Sequence, residues 1–306
     1  MKNKIIFALL MMFSVIIIYF YLAFGAENLH IIQQIRLPRL VLTLLVGFVL
    51  GGVGHSFQIM LNNPLAEPYI LGISSGAAFG SILATISGMF ILTPIFGFIG
   101  ALLTMILVWS LSHLGGFFDK TKLLLSGIIV GMFFSALISL LIYFNQREIG
   151  NIINILMGNL GRIFTYNEWK YFIIIFGIST VLMIWLFLLS SQLNILTTGD
   201  LVAESLGINV KKLRRKIFII SSILTGITVA YAGIIGFIGL VVPHITRMLS
   251  GGNKRFTMIL SALGGAVLLI FCDFIAMHIT AVELPVGVVT AFIGCPFFIY
   301  IMAKNK

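Results

Sequence analysis

The sequence predicts an all-α polytopic membrane protein with about ten transmembrane helices. Hydrophobic residues make up 60% of the 306 residues, charged residues make up only 9%, and apolar runs near 20 residues recur along the chain. Runs of that length cross the ~30 Å hydrocarbon core as helices. They are too long and too uniformly apolar for the strands of a membrane barrel. We therefore treat residues 1–306 as a single transmembrane domain.

The first apolar run, 5–24, follows Lys2 and Lys4 and resembles a secretory signal. It exceeds the ~7–15 apolar residues of a signal core, which predicts a retained first span. Further spans are predicted at about 40–61, 70–87, 89–111, 123–144, 171–190, 217–234, 257–274 and 284–303.

Residues 233–249, GIIGFIGLVVPHITRML, are apolar but interrupted by glycines and by Pro243. If both basic termini lie in the cytoplasm, as the positive-inside rule indicates, the number of spans is even. Residues 236–249 then form a short eighth span, and the total is ten. This topology places most basic residues inside and leaves five outside, which are Arg36, Arg39, Arg147, Arg162 and Lys170. The net charge of +10 thus mostly reflects the orientation of the chain in the membrane lipid, and no nucleic-acid partner is predicted.

Ten spans divided five and five give two halves of opposite orientation, as in inverted-repeat transporters. Each half carries a glycine-rich stretch followed by a Gly/Pro-interrupted one: 47–54 then 62–76, and 226–233 then 236–244. Such segments can surround a pathway, and tight helix packing is the alternative explanation.

The sequence offers no chemistry of its own for driving transport. The predicted topology puts none of the nine acidic residues in mid-span, and no Gly-Lys dipeptide is present for a Walker A loop. ATP, if used, must be hydrolysed by a partner. Residues 72–76, GISSG, match the nucleophile-elbow pattern, but Ser74 opens a membrane helix rather than a strand–turn–helix. Cys272 and Cys295 show no pairing or ligand spacing, so no metal or cofactor is predicted for this chain.

A polar and then basic stretch, TTGDLVAESLGINVKKLRRK, occupies residues 197–216 between two apolar spans. Thr198 or Asp200 is expected to cap a short helix that ends at Gly207. Asn209 is expected to cap a second helix that continues into the seventh span. One side of the short helix carries Leu201, Val202, Ser205 and Leu206. This arrangement suits a cleft in another protein, and a solvated loop held at lipid headgroups is the alternative.

Six motifs in order resemble the FecCD-type permeases of ABC importers for iron chelates, haem and vitamin B12, and they extend over nearly the whole chain. They are IRLPR at 35–39, NPLAEPYILGISSGA at 63–77, LMGNLG at 156–161, GDLVAESLGINV at 199–210, AGIIGFIGLVVPHITR at 232–247 and ELPVGVVTAFIGCPFFIY at 283–300.

The resemblance implies the type II importer fold and a permease homodimer with ten spans per subunit. It also implies two cytoplasmic ATPase subunits and an external substrate-binding protein. Segment 197–214 would be the coupling segment that docks into the ATPase, through Gly199, Asp200, Leu201, Ala203, Glu204, Leu206 and Gly207. Arg36 and Arg39 of IRLPR would meet acidic residues on the binding protein, with Pro38 holding both guanidinium groups toward the exterior.

The chain departs from the family pattern at two places. Asn62 precedes Asn63 and Pro64 where many relatives have an arginine, which leaves the gate-side loop uncharged. Met277 stands where many relatives have an outer arginine. The substrate stays open among siderophores, haem, cobalamin and oxyanions.

We place the translocation pathway between two copies of the fifth span, with Asn63 and Pro64 at the gate. Small residues recur along one face of that span, a spacing that fits either a passage or tight packing. They are Ser126, Gly127, Gly131, Ser135 and Ser139. A stand-alone secondary transporter and an intramembrane hydrolase using Ser74 are the alternative functions, and neither requires an ATPase partner.

Overall fold

The computed structural model describes residues 2–25, 28–113, 119–250 and 254–304, and all regular structure within these ranges is helical. Ten helices form a bundle, numbered here as spans in chain order. They are span 1 Lys2–Ala23, span 2 Leu37–Leu61, span 3 Ile73–Ile86, span 4 Thr93–Ser112, span 5 Lys120–Phe144, span 6 Tyr166–Leu188, span 7 Val210–Ala232, span 8 Ile238–Ser250, span 9 Lys254–His278 and span 10 Val286–Lys304.

The predicted set of ten spans is confirmed in the described part of the chain. Seven helices there are long and apolar enough to cross a membrane, and spans 3, 8 and 10 are shorter apolar helices. Span 2 starts earlier than predicted, because a short helix and a π-helical stretch at Ile32–Arg36 run directly into it. The helix Ile149–Met157, between spans 5 and 6, was not predicted as an element of its own.

The helices run alternately up and down, which gives the bundle two distinct ends. At the basic end lie the last residues of spans 2, 4, 6 and 8, together with residues 197–209. The opposite end carries the connections after spans 1, 3, 5, 7 and 9.

Helix packing follows the predicted five-plus-five arrangement. Span 2 packs on span 9, and the corresponding helix of the second half, span 7, packs on span 4. Span 3 likewise packs on span 4, as span 8 packs on span 9, and spans 2 and 7 pack on each other at the centre. Glycines allow these close approaches: a Cβ on Gly51 would lie 2.0 Å from the carbonyl oxygen of Ser261, and one on Gly265 would lie 2.2 Å from that of Gly47.

Spans 3 and 8 are short because each begins inside the bundle. A one-turn 3-10 helix, Pro68–Leu71, turns back from the basic end and reaches Gly127, about 10 Å along span 5. From the opposite end, residues 233–237 descend to the same depth and start span 8 beside Gly54 of span 2. The two non-helical segments meet there: the Glu67 carboxylate accepts a hydrogen bond from the Phe237 backbone N–H at 2.7 Å, and the Tyr69 hydroxyl accepts one from Ile235 at 2.9 Å. Glu67 is therefore partly buried inside the bundle, whereas the predicted topology put none of the acidic residues in mid-span.

Candidate functional site

The predicted coupling segment, residues 197–214, projects as a short helix at the basic end. The helix Asp200–Ser205 lies between Gly199, with φ +117°, and Gly207, with φ +84°, a backbone region that favours glycine. The prediction that Gly207 ends this helix is confirmed. The predicted cap is wrong: Gly199 is the N-cap residue, and the Thr198 hydroxyl donates to the carbonyl of Ile195 instead.

Asp200 forms ion pairs that connect the segment to two spans. Its Oδ1 lies 2.6 Å from Nη2 of Arg214, at the start of span 7, and 3.5 Å from Nζ of Lys120, at the start of span 5. Partial burial opposes ionisation, but the hydrogen bond and charge of Arg214, together with Lys120, lower the pKa of Asp200 below its usual value. The carboxylate is charged at neutral pH, so the short helix is held against spans 5 and 7.

The outer face of the short helix is apolar and open. Leu201 is 83% exposed and Leu206 is 63% exposed, and Val202 lies beside them. Ala203 points the other way, is fully buried and packs against the hydrophobic core. Ala203 therefore does not present its side chain to a partner, although the resemblance implied that the segment docks through it.

The second helix of the segment begins as predicted. Asn209 is its N-cap, and its Oδ1 accepts a hydrogen bond from the backbone N–H of Lys212 at 2.9 Å. That helix is span 7, Val210–Ala232, without a break. The last residues of segment 197–214 are thus the first turn of a membrane helix.

The small residues of span 5 divide into two groups. Gly127 and Gly131 receive the Pro68–Leu71 turn, and a Cβ on Gly127 would lie 2.6 Å from the Cα of Leu71. Ser126 is buried, whereas Ser135 and Ser139 are exposed, with hydroxyls that donate to carbonyls of their own helix. An open groove of about 560 Å³ follows this face, lined in part by Tyr69, Gly131 and Ser135.

The predicted gate loop lies at the basic end, directly after span 2. Asn62 ends the span in the left-handed conformation at φ +51°. Asn63 Oδ1 accepts a hydrogen bond from the Leu65 backbone N–H at 2.9 Å, and Pro64 is exposed between them. The loop is a rigid turn joining span 2 to the segment that re-enters the bundle.

Arg39 is not a surface residue, which corrects the prediction that its guanidinium points to the exterior. It is 5% exposed, and its Nε and Nη2 donate to both carboxylate oxygens of Asp273 at 3.0 and 2.8 Å. Its Nη1 donates to Glu283 at 2.7 Å, and Asp273 also accepts from the Tyr21 hydroxyl at 2.5 Å. We call Tyr21, Arg39, Asp273 and Glu283 the Arg39 network; it joins spans 1, 2 and 9 near the opposite end.

Arg36 is also engaged within the chain. Its Nη1 donates to the carbonyls of Tyr21, Leu22 and Phe24 at 3.2, 3.2 and 2.6 Å, at the end of span 1. Glu27, an alternative partner for these arginines, lies outside the described residues. Met277 packs in the apolar cluster around Tyr21 and Leu40. The position where many relatives have an arginine therefore belongs here to the apolar contact between span 9 and span 1.

Sequence reasoning missed the partners of the charged residues. It treated the basic residues inside only as orientation charges and put none of the acidic residues in mid-span, so Arg214, Lys120, Asp273 and Glu283 received no partners. A usable signal existed for Asp273, because an acid inside an apolar run requires a buried partner of opposite charge.

The ten-helix fold, its re-entrant segments and a helical projection fastened to two spans define a membrane-spanning permease subunit. The chain belongs to the FecCD transport family, whose model matches residues 4–304. It is therefore a multi-pass component of ABC transport and not an enzyme.

Individual relatives agree with this assignment. The chain is 36% identical to the vitamin B12 import system permease protein BtuC of Klebsiella pneumoniae, covering 92% of this chain and 85% of the relative. It is 36% identical to the hemin transport system permease protein HmuU of Yersinia pestis, covering 90% and 84%. A solved ABC transporter of metal-chelate type, in an inward-facing conformation, superposes with a TM-score of 0.87 at 32% identity, covering 98% of this chain and 99% of that one.

Proposed function

We propose that this chain is the membrane-spanning subunit of an ATP-driven importer for an iron chelate, haem or a cobalamin-type ligand. Two copies form the passage, two ATPase subunits bind at the basic end, and an external binding protein delivers the ligand to the opposite end. The basic end, with both termini, faces the cytoplasm, as the distribution of lysine and arginine favours. The relatives that import vitamin B12 and hemin support this range of ligands.

The observation that carries the proposal is the geometry of the coupling segment. Leu201, Val202 and Leu206 present an exposed apolar face on a helix too short to be stable alone. Asp200 fastens that helix to spans 5 and 7. Exposed apolar side chains on a rigid mount are typical of a helix that binds in a groove of a partner.

The test replaces Leu201 by aspartate. Because Leu201 is 83% exposed, its replacement should change the stability of the free permease by no more than about 0.5 kcal/mol. A charge buried in the ATPase contact should weaken ATPase binding by about 2 kcal/mol, roughly thirtyfold, and reduce ATP-dependent uptake.

Val282→Asp is the matched control for ATPase binding, since Val282 is 79% exposed in the loop between spans 9 and 10, at the end away from the proposed ATPase contact. Binding would be measured between the purified permease and its ATPase, and uptake in proteoliposomes. Equal ATPase binding by Leu201→Asp and wild type would contradict the assignment of this face. Uptake in the absence of any ATPase would favour the stand-alone secondary transporter.

A further inference from the structure

Span 8 contains a proline whose effect on the helix is compensated by another span. Pro243 has no backbone N–H, so the carbonyl of Gly239, four residues earlier, lacks its helical donor. Gly239 is buried against span 2, where a Cβ on Gly54 would lie only 2.1 Å from its carbonyl oxygen. A carbonyl buried in this way is costly unless another donor reaches it.

Gln58 supplies that donor. It is 2% exposed and lies one turn after Gly54, on the same face of span 2. Its Nε2 lies 3.3 Å from the carbonyl oxygen of Gly239 and 3.3 Å from that of Leu240. The side chain therefore donates to the carbonyls at the position where Pro243 interrupts the helical pattern.

Arg247 fixes the direction of the amide. Its Nη2 donates to Oε1 of Gln58. A guanidinium has only donors and a carbonyl only accepts. In the opposite amide orientation, the Gln58 NH2 group would face the Arg247 guanidinium, and the Gln58 oxygen would face the carbonyls of Gly239 and Leu240. Arg247 and Pro243 are one turn apart on span 8, so both ends of the Gln58 amide bind the same helix.

We propose that Gln58 is the positioning residue of span 8: its amide replaces the hydrogen bond that Pro243 removes and sets the contact of span 8 with span 2. We call this set of hydrogen bonds the Gln58 bridge. Span 8 starts beside the residues that bind Glu67 and Tyr69, so the bridge also sets where the two re-entrant segments meet. Its importance for transport rests on the proposed function, whereas its existence does not.

The test is a double-mutant cycle on the purified permease. Gln58→Leu replaces the amide by an apolar side chain of similar size and removes both its donor and its acceptor, and it should lower the melting temperature by about 5 °C. Pro243→Ala restores a backbone N–H that can donate to Gly239. In that background, Gln58→Leu should cost less, because the Gly239 carbonyl keeps a donor and only the contacts with Arg247 and Leu240 are lost. Gln146→Leu, at an exposed glutamine of the opposite end, is the control and should have the same small effect in both backgrounds.

Equal losses from Gln58→Leu in the two backgrounds would overturn the proposal. If Gln58→Leu yields no folded permease, the yield of monodisperse protein replaces the melting temperature. Recovery of that yield by Pro243→Ala supports the bridge, and no recovery overturns it. In proteoliposomes with the ATPase, Gln58→Leu should lower uptake about tenfold, with at least partial recovery in the double variant. Uptake by the wild type that does not depend on ATP would contradict the proposed function. The result of the thermal double-mutant cycle, and with it the test of the Gln58 bridge, would not be affected.

Discussion

Replacing Arg39 should destabilise the permease rather than weaken its docking to a binding protein. Arg39→Met removes three charge-assisted hydrogen bonds, two to Asp273 and one to Glu283, and leaves Asp273 buried with only neutral partners. Breaking a buried ion pair from one side costs about 3–5 kcal/mol. For a chain of this size, that corresponds to about 5–10 °C in melting temperature.

The assay is thermal unfolding of the purified permease, combined with a double-mutant cycle. Asp273→Leu alone should cost a similar amount, because it leaves the Arg39 charge buried. The Arg39→Met/Asp273→Leu double variant should cost less than the sum of the single variants, because neither charge then remains unpaired. Arg36→Gln is the matched arginine control and should cost about 1 kcal/mol, since its guanidinium is half-buried and binds backbone carbonyls.

Two results would refute this reasoning. One is strict additivity of the two single variants, which would mean that Arg39 and Asp273 do not interact. The other is an unchanged melting temperature for Arg39→Met together with slower association of a binding protein. That result would mean that the Arg39 guanidinium faces the exterior, as the sequence analysis expected.

Three further outcomes are expected. Gly72→Ala should lower the melting temperature by several degrees, because Gly72 has φ +71° and a Cβ there would lie 2.6 Å from the carbonyl oxygen of Gly127; an unchanged melting curve would contradict the close contact. Ser135→Cys should react with a water-soluble thiol reagent in at least one transport state. Ser126→Cys, in the buried part of the same helix, should not react. Equal protection of both cysteines would mean that the small residues of span 5 serve helix packing and do not line a passage. The lowered pKa of Asp200 means that its carboxylate stabilises the coupling segment at neutral pH, and this contribution is lost as pH falls below the ordinary aspartate value of about 4 and through the lower folded-state pKa. The protection of residues 198–206 against hydrogen exchange, corrected for the intrinsic pH dependence of exchange, should fall there in the wild type but show no such step in Asp200→Asn.

Much of the fold was predictable because it depends on the length of apolar runs, on the number of spans and on capping residues, all of which can be read from the sequence. Hydropathy located nine of the ten spans, and the requirement for an even number identified the short span 8 despite Pro243. The start of span 7 followed from the capping preference of Asn209, and the end of the short helix followed from Gly207.

The remaining features depend on contacts between distant parts of the chain. Arg39 and Asp273 are 234 residues apart, so an arginine beside a proline was interpreted as a surface group when its partner lay in span 9. The direction of Ala203 could not be predicted either, since a six-residue helix has no periodicity long enough to distinguish its buried side from its exposed side. Gln58 carried no signal at all, because the need for its amide arises only when Pro243 is placed opposite it.

The Arg39 network also sets an order of events during biosynthesis. Arg39 leaves the ribosome 234 residues before Asp273, which at about 5–20 residues per second is roughly 10–50 s. Throughout that interval, span 2 must reside in the translocon or the bilayer with an arginine whose bidentate partner has not been made. Its position near the end of the span allows the guanidinium to extend to the headgroup region meanwhile. We therefore expect the opposite end of spans 1 and 2 to close only after span 9 has inserted, so a chain truncated before Asp273 should remain a target for membrane quality-control proteases.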